Sequence, residues 1–375
     1  VIRKADVAVV GGGIVGLAHA WQAAVRGGSV VLFERDARAR GASVRNFGMI
    51  LPLGAAPGAT HAMAMHSLGL WKQLALATGI WHARSGALMV AYHPDEESAM
   101  LELAASDTGR DYGCTWLTRA CAAAKSPAAN ADGLLGGLWT PNVMVVDPRE
   151  VMTRLPVWLA EQYGVHLRYG MSVRSIATPA VETELETWHA QRVIVCPGAD
   201  LDALYPDILA NSNLTYCKLQ MMRTVAQPPD WHFGPVLLGG LSIRHYPVFR
   251  RCSTATAVAR RIARDCPELD RWGIHIMVAQ NGRRELIVGD SHEYASKPRW
   301  RDYRIIDELL LEQFRGIVNP PSLTIDSRWR GVYVKHPSRD WLVLSPEPSV
   351  RVVTGLGGLG MTLSLALAAD VFASW

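Results

Sequence analysis

The run DVAVVGGGIVGLAHAWQAAVRGGSVVLFE, Asp6 to Glu34, constrains the fold more than any other stretch. Asp6–Val10 is a short β-rich segment. Gly11-x-Gly13-x-x-Gly16 follows it and opens a segment of helical spacing, Ile14–Arg26, which closes at Gly27-Gly28, a natural C-cap. Ser29–Phe33 is a second buried strand, ended by Glu34. This is a βαβ unit, whose parallel strands require a right-handed crossover. Gly11 allows the tight turn, Gly13 lets a pyrophosphate approach the backbone, and Gly16 lets helix and strand pack closely. The helix N-terminus then faces the phosphate charge. Glu34 sits at the spacing expected of a partner for a ribose hydroxyl, and its charge disfavours a 2′-phosphate. The pattern does not say which dinucleotide is bound.

The far end of the chain adds a second constraint. TGLGGLGMTLSLALA places Gly355, Gly357, Gly358 and Gly360 between a strand and a helix. A close-packed terminal helix needs one glycine. Four within six positions suit a cofactor with two ends, one for pyrophosphate and one for an electron-rich ring carbonyl. The length of 375 residues suits two intertwined domains. A net charge of +4 with no dense Lys/Arg run argues against nucleic acid and leaves room for a small anionic ligand. The six cysteines form no CxxC pair and no compact Cys/His set, so reduced thiols in a cytoplasmic protein and no metal site are expected. Arg3 and Lys4 before an apolar run mimic a signal peptide, but Asp6 and three adjacent glycines break the resemblance. The uncharged C-terminal run is short and glycine-rich, so a buried helix is expected there rather than a membrane span.

Between these ends, residues 60–80 suit an amphipathic helix, Gly86–His93 a strand and Glu96–Ser106 a helix. Residues 126–137 read as a loop. Asp147-Pro148 reads as an N-cap followed by a first-turn proline. VHLRYGMSVRSI reads as strand, turn and strand. Residues 214–226, 235–250, 274–280 and 285–290 alternate like antiparallel strands, and 302–316 reads as a helix.

The segments VAVVGGGIVGLAHA…VVLFER, GASVRNFGM, RVIVCPGA and TGLGGLGMTLSLALA together resemble the FAD-dependent amine oxidases of the D-amino-acid oxidase type, glycine oxidase and sarcosine oxidase among them. The resemblance spans the whole chain in order. GASVRNFGM with IRHYPVF and VYVKHP further resembles a subgroup encountered with phosphonate breakdown. The resemblance implies FAD, held by Gly11, Gly13, Gly16, Glu34 and Arg35. In the family the next loop passes over the flavin, which places Ser43, Arg45 and Asn46 near pyrophosphate and ring, with Gly48 and Met49 near the ring face. Arg45 offers a charge fork, Gly48 a close approach and Met49 a soft apolar wall. The alternative, Arg45 as an exposed loop residue, stays open. Val173 matches the position whose backbone meets the adenine. Cys196 and Gly198 match residues beside the cofactor. Gly357, Gly358, Leu359, Gly360, Met361 and Thr362 form the second turn.

Departures from the family carry expectations of their own. Sarcosine oxidase holds its flavin through a cysteine near the segment matching RGVYVKHP; no cysteine lies beyond Cys266, so FAD is expected to be non-covalent. The lysine that helps that enzyme use oxygen matches Met361-Thr362 here, which puts efficient use of oxygen in doubt. The carboxylate-binding arginine of glycine oxidase lies near VYVKHP, where this chain has Tyr333, Lys335 and His336. On an assumed strand, Arg244 and Tyr246 face one way and His245 the other, with Tyr246 as a pocket wall. Lys218, Gln220 and Arg223 are weaker candidates, and His61 and His66 read as packing or surface residues.

The expected fold is α/β: a Rossmann-type FAD-binding domain (residues 1–84, 142–214 and 325–375) with an inserted antiparallel-sheet substrate domain (85–141 and 215–324). The expected reaction is C–N oxidation of a small, anionic, secondary amine to an imine that water hydrolyses, with Met49, Tyr246, Lys335 and His336 at the substrate. Oxygen or another acceptor takes the electrons, and oligomeric state is left open. Two rivals remain. One is an FAD-dependent 2-hydroxy acid dehydrogenase, in which His336 or His245 becomes a base. The other is a flavin-binding partner with no turnover.

Overall fold

Gly11-x-Gly13-x-x-Gly16 does form the strand–turn–helix junction that its spacing requires. In the computed structural model, which describes residues 2–297 and 301–375, strand Arg3–Val10 leads through the turn into helix Ile14–Val25 and returns as parallel strand Val30–Glu34. Strand Thr187–Val195 pairs in parallel on the other side, and Val350–Thr354 pairs beyond it. Both faces of the central strand are covered, so Ala8 and Val9 are fully buried. Helices Ile14–Val25, Ala59–Thr78, Pro148–Tyr163 and Gly360–Ala373 supply the apolar core on one face. Asp147 caps the third of these through the amides of Arg149 and Glu150, with Pro148 in the first turn.

A second, nine-stranded sheet draws its strands from residues 87–140 and 215–335. It is mostly antiparallel, with one parallel pair, Val236–Gly239 on Ala87–Ala91. Its spine is Thr215–Thr224 against Ile325–Lys335, in register from Thr215↔Lys335 to Arg223↔Ser327, with a one-residue shift before Thr224↔Ile325. Strand Ile325–Lys335, assigned from sequence to the cofactor side, is thus a member of the second sheet. Residues 298–300 of the expected substrate domain lie outside the described residues. A small sheet of Met49–Ile50, Met144–Val146 and His82–Ala83 joins the two layers.

The strand expected over 235–250 is a correction. Only Val236–Gly239 is extended; Gly240–Arg244 and Pro247–Arg251 are 3₁₀ turns. Gly240 lies so close to Glu96 that a Cβ would collide with its carboxyl group, and Pro247 removes a ladder donor. Tyr246 therefore sits between two turns, and the expected alternation of Arg244 and Tyr246 against His245 does not apply.

Candidate active site

At the first turn, Gly11 has φ +107°, and a Cβ there would strike the Cys196 carbonyl. A Cβ at Gly16 would strike the Gly11 carbonyl, so the helix start lies against the strand end. Gly13 is the N-cap of Ile14–Val25 and offers no side-chain cap. Ser43 reaches in from the following loop, its Oγ accepting the Ile14 amide at 2.9 Å. Glu34 closes the turn: Oε2 accepts from the buried Gly12 amide at 2.8 Å and Oε1 from the Asp36 amide at 3.0 Å. Each oxygen keeps lone-pair capacity for a hydroxyl. Arg35 points away, paired with Asp200.

The loop Gly41–Ile50 is wedged against the second sheet. Arg45 is half-buried, not an exposed loop residue: its Nη1 donates to the Arg330 carbonyl at 3.1 Å, and its own carbonyl lies over Gly331 and the Trp329 indole. Asn46 is the internal brace. Its amide donates to the Ala42 and Ser43 carbonyls at 2.9 and 3.1 Å and accepts from the Gly48 amide at 2.7 Å. Gly48 has φ +74°, and the close approach it permits is to the Val146 carbonyl. Met49 is buried and pairs with Val145.

The final turn packs onto both neighbours. Helix Gly360–Ala373 has no side-chain N-cap. The Thr362 Oγ1 accepts the Leu51 amide at 3.1 Å, and the Met361 carbonyl accepts the Trp71 indole at 2.8 Å. Lys335 bridges Leu356 through its backbone, and its Cβ lies 3.3 Å from where a Gly357 side chain would begin. The Tyr333 hydroxyl stands 3.7 Å from the same point on Gly358. Tyr333 and Lys335 share one face of their strand, while Val334 is buried on the other. Cys217 pairs with Tyr333 on one side and Tyr294 on the other, and Lys335 Nζ lies 5.2 Å from the Tyr294 ring centre. Burial raises the Tyr333 hydroxyl well above its ordinary value, and Cys217, Tyr294 and Asp290 add to that. Tyr246 joins from the turn side: its ring and Leu359 both reach the space above Gly54, at 4.0 and 3.7 Å. Its hydroxyl contacts Met277 Sδ at 3.0 Å, so it presents a ring rather than a free donor.

Other sequence candidates have different employment. Lys218 is 2% exposed and paired with Glu293 at 2.7 Å. Gln220 ties to Tyr303 and Asp307, Arg223 to Glu285 and Asp326, and Arg244 to Asp270. His336 lies just past the strand, its Nδ1 accepting the Ser338 amide at 3.1 Å. His61 stacks on Tyr112. Val173 is buried at the start of strand Val173–Ala177, and Cys196 is buried, which drives its thiol far above the ordinary range. Gly198, φ +61°, faces open space.

Sequence spacing suggested no metal-ligand set, yet the fold gathers His245, His275 and His292 with Asp290 beside Lys335 and Tyr294. Burial lowers His245 and His292 from the usual histidine range. The one visible signal was the polar trio Asp290-Ser291-His292 directly after a buried strand, Leu286–Gly289.

Two helix N-termini without side-chain caps, a carboxylate at the end of the second strand and glycines at both close approaches define a protein built around a dinucleotide. The chain belongs to the FAD dependent oxidoreductase family, DAO, whose profile matches residues 6–375. It is 33% identical over 210 residues to a D-amino-acid oxidase of Streptomyces coelicolor, covering 55% of this chain and 56% of that protein. It is 26% identical over 216 residues to the bifunctional protein ThiO/ThiG of Nostoc sp., covering 54% of this chain and 32% of that one. The chain thus spans only part of the length of these curated relatives. Its fold matches glycine oxidase from Geobacillus kaustophilus with a TM-score of 0.77 at 19% identity, covering 99% and 94% of the two chains. It matches L-proline dehydrogenase from P. horikoshii with a TM-score of 0.79 at 18% identity, covering 100% and 94%. The glycine turns and Glu34 fit FAD, the cofactor of the family.

Proposed function

We propose that this chain oxidises the C–N bond of a small secondary amine carrying a separate anionic group. An N-methylated aminoalkylphosphonate is the first choice and an N-substituted glycine the second. The observation that carries this reading is the position of Lys335, whose backbone and Cβ pack on the final glycine turn while its cation extends along the second sheet to within 5.2 Å of the Tyr294 ring centre. Lysine is a point charge that needs no planar, bidentate partner, so a tetrahedral phosphonate suits it as readily as a carboxylate. Tyr333 and the Tyr246 ring wall the same region and exclude water from the reacting carbon. FAD, when bound, supplies the two-electron acceptor. An amine that binds neutral needs no dedicated base, and the resulting imine is hydrolysed by water. The relatives support an amine: a D-amino-acid oxidase, a glycine oxidase, and a dehydrogenase acting on proline, itself a secondary amine. Six free cysteines accord with a reducing, cytoplasmic setting. Among the described residues no helix is long and apolar enough to cross a membrane.

The test is anaerobic loss of the yellow absorbance with a panel of amines and 2-hydroxy acids, in the native protein and in Lys335→Met, His336→Ala and Arg45→Met. Loss of the anion anchor raises KM for phosphonate and carboxylate amines far more than for uncharged analogues. Equal effects on all analogues would remove these residues as anion readers. Bleaching by 2-hydroxy acids alone moves the reaction to C–O oxidation, and bleaching by neither class leaves a flavin-binding partner.

A further inference from the structure

The three-histidine cluster is assembled from segments distant in sequence. His245 follows the turn Gly240–Arg244, His275 precedes strand Met277–Gln280, and Asp290 and His292 lie between strands Leu286–Gly289 and Glu293–Ala295. Ring centres are 4.3 Å apart for His245 and His275, 5.0 Å for His275 and His292, and 5.2 Å for His245 and His292. One nitrogen from each ring lies within 4.8 Å of the others.

The hydrogen bonding inside the cluster is incomplete in a particular way. His292 Nδ1 lies 3.2 Å from the Gly273 carbonyl, which can only accept, so Nδ1 carries the hydrogen. In the neutral ring the lone pair is then on Nε2, which faces Asp290 Oδ2 across 4.0 Å. Two acceptors thus face each other across a gap too wide for a hydrogen bond. His245 Nε2 is buried with no hydrogen-bond partner among the described residues. Asp290 Oδ1 lies 2.9 Å from His275 Nε2 yet is not aligned to accept from it. Ser242 Oγ holds His275 Nδ1 at 3.0 Å and so turns the other edge of that ring inward. Native proteins rarely leave such groups unpaired, and here several of them converge on one point, where a single ion would satisfy them together.

We propose that His245, His275 and His292, with Asp290 beside them as the fourth ligand, form a binding site for a divalent metal ion of the zinc class. Bonds of about 2.0–2.2 Å from an ion to an imidazole nitrogen and to a carboxylate oxygen span a gap like the one between His292 and Asp290. An all-imidazole and carboxylate donor set suits zinc or its first-row neighbours rather than magnesium or calcium. The rings lie 23–27° from parallel, so binding turns them about the soft Cβ–Cγ torsion. The ion would rivet the turn that carries Tyr246 to the sheet that carries Tyr294, whichever amine reacts. The nearby Lys335 cation opposes a bound ion.

The test uses FAD-loaded protein, incubated with excess zinc chloride and desalted. Zinc is measured by elemental analysis and melting by circular dichroism. The native chain is expected to retain about one zinc per chain and to melt higher with zinc than after chelation, because a ligand that binds only the folded state stabilises it. His292→Ala and the isosteric Asp290→Asn are expected to lose both the retained zinc and the shift. His66→Ala, on an exposed helix position, keeps both. Should His292→Ala fold poorly, Asp290→Asn decides alone. A native chain with neither retained zinc nor a melting shift overturns the proposal, as does equal zinc retention by native chain and Asp290→Asn.

Discussion

Replacing Glu34 tests the hydrogen bonds it makes within the turn against the ribose contact proposed for it. In the folded chain it accepts from the Gly12 and Asp36 amides at 2.8 and 3.0 Å. Bonds to a charged acceptor contribute about 1.5–3 kcal/mol each, and a buried donor left unpaired costs about 1–3 kcal/mol. Gly12 is buried and cannot recover its partner from water, whereas the less buried Asp36 amide can. Glu34→Ala is therefore expected to destabilise the apoprotein by about 1.5–3 kcal/mol, the contribution of roughly one such bond. Glu34→Gln keeps one acceptor oxygen and should fall between. The lost ribose partner adds a separate penalty on FAD, about tenfold in Kd for each 1.4 kcal/mol. Urea unfolding of apoprotein measures the first term, and fluorescence quenching on FAD titration measures the second. Unchanged apoprotein stability with weakened FAD would refute the role assigned to the Gly12 bond. Unchanged FAD affinity with lowered stability would show that the carboxylate serves the turn alone.

Acid precipitation is expected to release all yellow colour into the supernatant, since no cysteine follows Cys266; colour retained in the pellet contradicts non-covalent binding. Reduced protein is expected to reoxidise slowly in air, because the final turn, residues 355–362, carries no lysine to stabilise reduced oxygen, and stopped-flow rates typical of dedicated oxidases would sink this unless Lys335 supplies the charge. Gly48→Ala should lower stability by about 1–3 kcal/mol, as the added methyl meets the Val146 carbonyl at a positive φ; an unchanged melting curve would show that the loop is free to shift.

The first sheet was legible because its signal is local. Glycine spacing, a capped helix and a β-branched run all sit within Asp6–Glu34, and each reports on its neighbours in sequence. The loop Gly41–Ile50 was legible as a special loop, but not in its reasons. Asn46 is consumed by the loop's own backbone, and the contact that demands a glycine at 48 comes from Val146. Tyr246 was placed on a strand because alternation continues across Gly240, where only the proximity of Glu96 reveals the turn. The histidine cluster left only the polar trio Asp290-Ser291-His292 as a local trace. Residues 245, 275 and 292 meet through strand pairing and a 3₁₀ turn, and spacing rules for metal ligands look for neighbours in sequence.

The helix at Ile14–Val25 packs against the helix at Gly360–Ala373, and the buried residues of both are mostly apolar. During synthesis the first emerges long before the second. At about 5–20 residues per second, the interval is on the order of tens of seconds. For that time the nascent βαβ unit holds an uncovered greasy helix beside a half-built phosphate turn. The first helix therefore reaches its native partner only when the last residues of the domain have emerged, so the nucleotide-binding layer closes late.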